Sequence, residues 1–197
     1  MGYQTRARLE KILGWWIFIK EWIGNYEHII DDSGCKSIMD YPWTWKPSTY
    51  SNGKGVVEKS DERVKMDECW CVDVNRPYPL LKKSVIEVMN IYAQEMQYFS
   101  CIHHTDFRLN RYGVGGFMST HCDNIHHSHG QIYGYPQATV LFFLNDDYDG
   151  GDFYVADINY GKPKIGSALI FPSNFMFPHE VKEVTNGERW SIVSWLM

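Results

Sequence analysis

The sequence predicts an α+β domain in which helices come first and an antiparallel β-sandwich or barrel follows. Three observations carry this. Residues 79–99 place Leu80, Leu81, Val85, Val88, Met89, Tyr92 and Met96 near helical spacing. After about residue 106 short β-rich runs succeed one another: FRLNRY, GGFMSTHCD, ATVLFFL, GDFYVA, SALIF, FMFPHEVKEV and RWSIVSWL. Turn residues separate the runs: Asp149-Gly150-Gly151, Asn159-Tyr160-Gly161, Gly166 and Asn186-Gly187.

The earlier elements are less regular. Residues 8–40 carry an apolar pattern with Leu9, Ile12, Leu13 and Trp16 on one helical side, although WWIFI suits a strand equally well. Ile29 to Met39 reads as a helix end, a turn at Ser33-Gly34 and more helix. The polar stretch 46–67 is the longest expected loop, with a hairpin at Asn52-Gly53. No repeat, low-complexity tract or interdomain linker interrupts the chain, and 197 residues suit a single domain.

Composition narrows the function. Hydrophobic content of 44% and charged content of 22% describe an ordinary globular protein. A net charge of −5 argues against binding a nucleic-acid backbone, which calls for a basic stripe. The apolar run Trp15–Ile19 is too short for a signal peptide or membrane span and ends at Lys20 and Glu21. Arg6 stands where a myristoylation motif needs Ser or Thr. The expectation is a cytoplasmic protein without a membrane partner. Five cysteines, an odd number without a framework, fit a reducing compartment. Cys69 and Cys71 share one face of an extended segment and are expected to be buried thiols.

The segment HCDNIHHSHG, His121 to Gly130, concentrates possible metal ligands. His121 and Asp123 flank Cys122 at the end of an apparent strand. Side chains at i and i+2 share a face, so both can reach one ion. An imidazole and a carboxylate suit Fe(II), Mn(II) or Zn(II). H-x-D alone also arises by chance, and a zinc module built from His121, His126, His127 and His129 is the competing arrangement.

A third ligand has to come from elsewhere, and His179 is the candidate. A three-residue loop Thr185–Gly187 would set Arg189 opposite Glu183 and His179 opposite Val193, placing His179, Arg189 and Ser191 on one interior face. Such a loop needs a left-handed residue at its end, which Gly187 supplies. Taken singly, His179 reads as well as a core histidine and Arg189 as a surface cation.

Taken together, these residues resemble the iron(II)/2-oxoglutarate-dependent dioxygenase superfamily, and within it the prolyl 4-hydroxylase-like branch. The matching positions are Arg111-Tyr112, Gly115-Gly116-Phe117, His121-x-Asp123, Thr139–Leu144, Gly150-Gly151, Pro163-x-x-Gly166, Phe171-Pro172, His179, Gly187 and Arg189-x-Ser191. They run over the C-terminal half. The resemblance implies a double-stranded β-helix, or jelly roll, with supporting N-terminal helices. Residues 1–105 would supply helices, a strand and a lid loop, and 106–197 the jelly-roll core with its metal site. It implies that His121, Asp123 and His179 hold Fe(II). It further implies that Arg189, Ser191 and Tyr112 bind 2-oxoglutarate, that O2 is consumed, and that ascorbate stimulates. Succinate and carbon dioxide would be released as a C–H bond is hydroxylated.

For the substrate, the resemblance points to a prolyl residue in a peptide or protein. A free amino acid, a small metabolite and a non-catalytic metal-binding jelly roll are the alternatives. Trp195 stands six residues after Arg189, where the nucleic-acid demethylases of the superfamily carry a second arginine. Asp123 sets the chain apart from the halogenases, which lack that carboxylate. His127, Tyr133 and Trp195 are the candidate substrate contacts, the first two within a loop, Asn124 to Pro136. The loop around Ser48–Lys59 is a second candidate lid.

Overall fold

A computed structural model describes residue 14 and residues 18–51, 57–58, 62–123 and 134–197. The described chain ends a first helix at residue 21, forms strand β1 (Gly24–Tyr26) and enters helix α1 (Asp32–Met39). Strands β2 (Lys46–Pro47), β3 (Tyr50–Ser51), β4 (Val57–Glu58), β5 (Val64–Lys65) and β6 (Asp67–Cys71) lead to helix α2 (Tyr78–Glu95). The remaining elements are strands: β7 (Phe107–Tyr112), β8 (Phe117–His121), β9 (Ala138–Phe143), β10 (Asp149–Gly150), β11 (Phe153–Val155) and β12 (Ile158–Asn159). They continue with β13 (Ala168–Pro172), β14 (His179–Val181), β15 (Val184–Asn186) and β16 (Arg189–Leu196).

Two antiparallel sheets dominate. One has the order β1-β13-β9-β16-β7-β6-β2 and the other β12-β11-β14-β8-β5. From β7 onward the chain alternates between them: β7, β9, β13 and β16 lie in the first, and β8, β11 with β12, and β14 in the second. That alternation is a double-stranded β-helix, the architecture expected from the sequence.

The period of two along each strand sorts side chains into two cores. In β9, Ala138, Val140 and Phe142 face the helices, where Leu81, Val85, Val88 and Tyr92 of α2 cover them. Leu141 and Phe143 face the second sheet. Strand β13 divides likewise, with Ala168 and Ile170 on one side and Leu169 and Phe171 on the other. All six residues of β9 are buried, so the run ATVLFF is apolar on both faces rather than alternating. Each large side chain so buried contributes about 1.5–3 kcal/mol.

Several sequence expectations change. Helix α1 runs straight through Ser33-Gly34, because Asp31 caps it and accepts the Gly34 amide at 2.6 Å. Helix α2 stops at Glu95, short of residue 99. Part of the expected 46–67 loop is strand: β3 pairs with β4, Ser51 opposite Val57, while Asn52-Gly53 lies outside the described residues. Leu9, Ile12, Leu13 and Trp16 also lie outside them. Cys69 and Cys71 are buried on β6, as expected, and burial pushes both thiols up to about 12.

The expected hairpin between His179 and Arg189 does not form. Strand β14 pairs with β8 and β11, β16 pairs with β7 and β9, and β15 pairs with β10. Gly187 does adopt a left-handed φ of 73°. It serves a turn that carries the chain from β15, paired with β10 in a two-stranded sheet, into β16 of the seven-stranded sheet. A register counted across one loop cannot anticipate this, since each strand pairs with remote ones.

Candidate metal centre

The ligand triad forms because β8 and β14 are neighbours. His121 ends β8 and pairs in register with His179, which begins β14. Their ring centroids are 4.2 Å apart. Asp123 follows two residues after His121 and is 9% exposed. His121 Nε2 lies 3.5 Å from Asp123 Oδ1, and His179 Nε2 lies 3.5 Å from Asp123 Oδ2. One ligand atom from each residue falls within 4.8 Å of the other two, the only such group of three or more among the described residues. His126, His127 and His129 lie outside those residues.

Surrounding groups aim the three side chains inward. His121 Nδ1 is 2.9 Å from the Ser119 carbonyl and His179 Nδ1 is 3.3 Å from the Phe177 carbonyl. A carbonyl only accepts, so both Nδ1 atoms donate, and both Nε2 atoms face Asp123. Thr139 donates to Asp123 Oδ2 at 2.7 Å, and Ser173 can donate to Thr139 in turn at 2.8 Å. Burial pushes the Asp123 carboxyl up, but His179, His121, Thr139 and Trp195 outweigh it and leave the pKa lowered. Burial, then the neighbouring His179, brings His121 down to about 4. Two imidazole nitrogens turned inward and an ionised carboxylate, converging on one point, are the donor set that a divalent metal requires. The fit to iron is therefore good.

The same cleft holds the predicted anion-binding residues. Arg108, Asn110, Tyr112, Thr139, Arg189 and Ser191 line it together with the triad. Arg189 is 1% exposed. Its Nη1 donates to Ser191 Oγ at 3.0 Å, while Nε and Nη2 make no hydrogen bond among the described residues. Its guanidinium carbon lies over the rings of Tyr112 at 5.2 Å, Phe143 at 5.5 Å and Phe153 at 6.0 Å. Burial raises the Tyr112 pKa, against the pull of Arg189, so its hydroxyl keeps its proton.

Trp195, a candidate substrate contact, lies on β16 beside the triad. It is 1% exposed and packs against Asp123, where its indole helps hold the carboxylate ionised. As an inward residue of β16 it supports a ligand rather than forming an open substrate wall. His127 and Tyr133 fall within 124–133, outside the described residues. Sequence reasoning missed Thr139, Ser173, Asn110 and Arg108. The last two were visible in principle: in FRLNRY, positions 108, 110 and 112 alternate onto one face with Tyr112.

A two-histidine, one-carboxylate centre between the sheets of a double-stranded β-helix defines a non-haem iron oxygenase class. Residues 107–197 match the model of the 2OG-Fe(II) oxygenase superfamily. Mouse (Mus musculus) prolyl 3-hydroxylase 2 is 35% identical over 69 residues, which cover 32% of this chain and 10% of that protein. A PKHD-type hydroxylase of Hyphomonas neptunium is 35% identical over 97 residues, covering 45% of this chain and 41% of that one. The chain thus spans well under half the length of these relatives. A Trichoplax adhaerens prolyl hydroxylase, solved in complex with a hypoxia inducible factor peptide fragment, shares the fold. Its TM-score is 0.66 at 16% identity, over 90% of this chain and 84% of that one. Residues 107–197 thus resemble the 2OG-Fe(II) oxygenase superfamily, and the chain is similar in sequence to prolyl and PKHD-type hydroxylases.

Proposed function

We propose that this protein is a 2-oxoglutarate-dependent Fe(II) hydroxylase acting on a C–H bond of a prolyl residue in a peptide or protein. The observation that carries the reading is Arg189. Its Nε and Nη2 form one fork of the guanidinium, and that fork is buried without a hydrogen-bond partner among the described residues. No ion pair to Arg189 occurs among the described residues. Burying an unpaired charge costs several kcal/mol, so such a group is maintained where an anionic ligand completes it. The distal carboxylate of 2-oxoglutarate offers the matching two-pronged acceptor.

In this reading His121, Asp123 and His179 would hold the iron through the ligand atoms that they turn toward one another. Bound iron supplies the chemistry in which 2-oxoglutarate and O2 give succinate, carbon dioxide and a hydroxylated substrate carbon. Arg189, Ser191 and Tyr112 fix the far end of 2-oxoglutarate. Thr139 holds the Asp123 carboxylate in one orientation. The Phe171 ring, 4.9 Å from that of His179, and the Phe153 ring, 6.1 Å away, keep water from the inner side of the centre.

The prolyl substrate is supported by the names of the sequence relatives and by the peptide seated in the Trichoplax neighbour. The test is incubation with Fe(II), ascorbate and 2-oxoglutarate under air, with and without proline-containing peptides. Succinate should form, and a peptide should gain one oxygen in mass. Folded, iron-loaded protein that yields no succinate under any of these conditions would overturn the assignment.

A further inference from the structure

The cleft contains a second cation that the reaction above does not use. Arg108 and Asn110 occupy alternate positions of β7 and share its inward face with Tyr112. Across the β7–β16 pair they stand opposite Val193 and Ser191, whereas Arg189 stands opposite Tyr112. The Arg108 and Arg189 registers are four residues apart on β7, roughly 13 Å of strand. The two guanidiniums also turn toward different surroundings. That of Arg189 faces Tyr112, Phe143 and Phe153, while the Arg108 carbon lies 5.0 Å from the centroid of the Trp195 ring.

Arg108 is poorly satisfied there. Its side chain is 12% exposed and its Nε is buried without a partner. Its acidic neighbour, Glu68 Oε2, is 4.0 Å away, beyond hydrogen-bond distance. Glu68 is already engaged by the Ser48 hydroxyl at 2.9 Å and by Lys46 Nζ at 3.8 Å. The group of Lys46, Glu68 and Arg108 therefore keeps a net positive charge. Asn110 is 3% exposed and its Oδ1 is also without a partner. Two neighbouring side chains beside the candidate metal site, each with a buried polar atom (Arg108 Nε, Asn110 Oδ1) that finds no partner among the described residues, mark a place that a ligand completes.

We propose that Arg108, with Asn110 beside it, receives a carboxylate carried by the substrate itself. The hydroxylated molecule is then a free amino acid, or a peptide whose reacting residue bears the C-terminal carboxylate. This rests on the hydroxylase reading and moves its substrate from a residue inside a chain to one that carries its own carboxylate. A prolyl substrate would be free proline or a C-terminal proline, not one inside a chain.

The test is calorimetric binding to protein loaded with Mn(II) and 2-oxoglutarate. The probes are the common L-amino acids, each as free acid and as primary amide, and acetyl-glycyl-proline with its amide. At least one acid should bind about ten-fold or more tightly than its amide. Arg108→Met should erase that preference, with the loss falling on the acid, and Arg108→Lys should retain part of it. If R108M fails to fold, Arg108→Gln is measured in its place. Binding of 2-oxoglutarate to the Mn(II) protein is measured for each variant, to distinguish the co-substrate's own metal-side carboxylate as the ligand. The proposal is overturned if no acid outbinds its amide, if acid and amide lose affinity equally, or if R108M weakens 2-oxoglutarate and spares the acid preference. Binding needs no turnover. Acid-selective, Arg108-dependent binding without succinate would therefore remove the hydroxylase reading and leave the carboxylate subsite standing.

Discussion

His121 and His179 stand directly opposite each other across the β8–β14 pair, one closing its strand and the other opening its own. The pairing fixes their separation through backbone hydrogen bonds, so the ligand geometry does not depend on loop conformation. His179→Ala is expected to lower metal affinity by at least about 100-fold, more than loss of an outer-shell group would. Circular dichroism should show the sheets retained, and a metal-binding titration checks the affinity.

Arg189→Met should separate binding from folding. Two parallel charge-assisted bonds are lost, so 2-oxoglutarate affinity should fall by about 100-fold or more. The ligand-free variant should melt no lower than the parent, because a buried and incompletely bonded cation has been replaced by an apolar chain. A large drop in melting temperature without ligand would show that Arg189 serves the fold instead.

Thr139→Val tests the orientation of Asp123. The change removes the 2.7 Å bond to Oδ2 while keeping nearly the same volume. Metal affinity should fall by about 10–100-fold, with the metal-free fold intact.

The buried thiols give a pH dependence. Burial raises Cys35, Cys69 and Cys71 from 9.0 to about 12. An unfolded chain releases these protons near pH 9 and the native chain only near 12. Native protein therefore holds more protons in that window, and stability falls as pH rises through it. Denaturation midpoints measured from pH 8 to 11 should decline. At pH 8 iodoacetamide should modify the partly exposed Cys101 and Cys122 in native protein and spare the other three.

Gly166→Ala should destabilise by about 3 kcal/mol or more. Gly166 has φ 72°, and an added Cβ would fall 1.9 Å from the Ile30 carbonyl oxygen. The Gly166 carbonyl also accepts both the Ile29 and Ile30 amides, so the contact between loops has no room to open. Chemical denaturation measures the loss.

What could be read from the sequence was local chemistry and period. The i, i+2 spacing of His121 and Asp123, the helical stripe of α2 and the buried face of Cys69 and Cys71 all depend on neighbours a few residues away. The partnering of His179 with Arg189 was reached through a hairpin that does not exist. Both residues nevertheless line one cleft, because their strands face each other from opposite sheets. Thr139 begins one of the matching runs and Ser173 does not, but neither shows its role in sequence, since a hydroxyl becomes a support for Asp123 only when β9 and β13 pair beside it.

Strand β16 follows every other described strand in the chain, yet it lies in the middle of the first sheet, between β9 and β7. Until it docks, β7 and β9 each present an unpaired edge, and Arg189, Ser191 and Trp195 are missing from the cleft. Contacts of such long sequence separation make for slow folding and a nascent chain that is open to aggregation. During synthesis, metal and co-substrate would meet a complete site only after β16 has emerged and inserted.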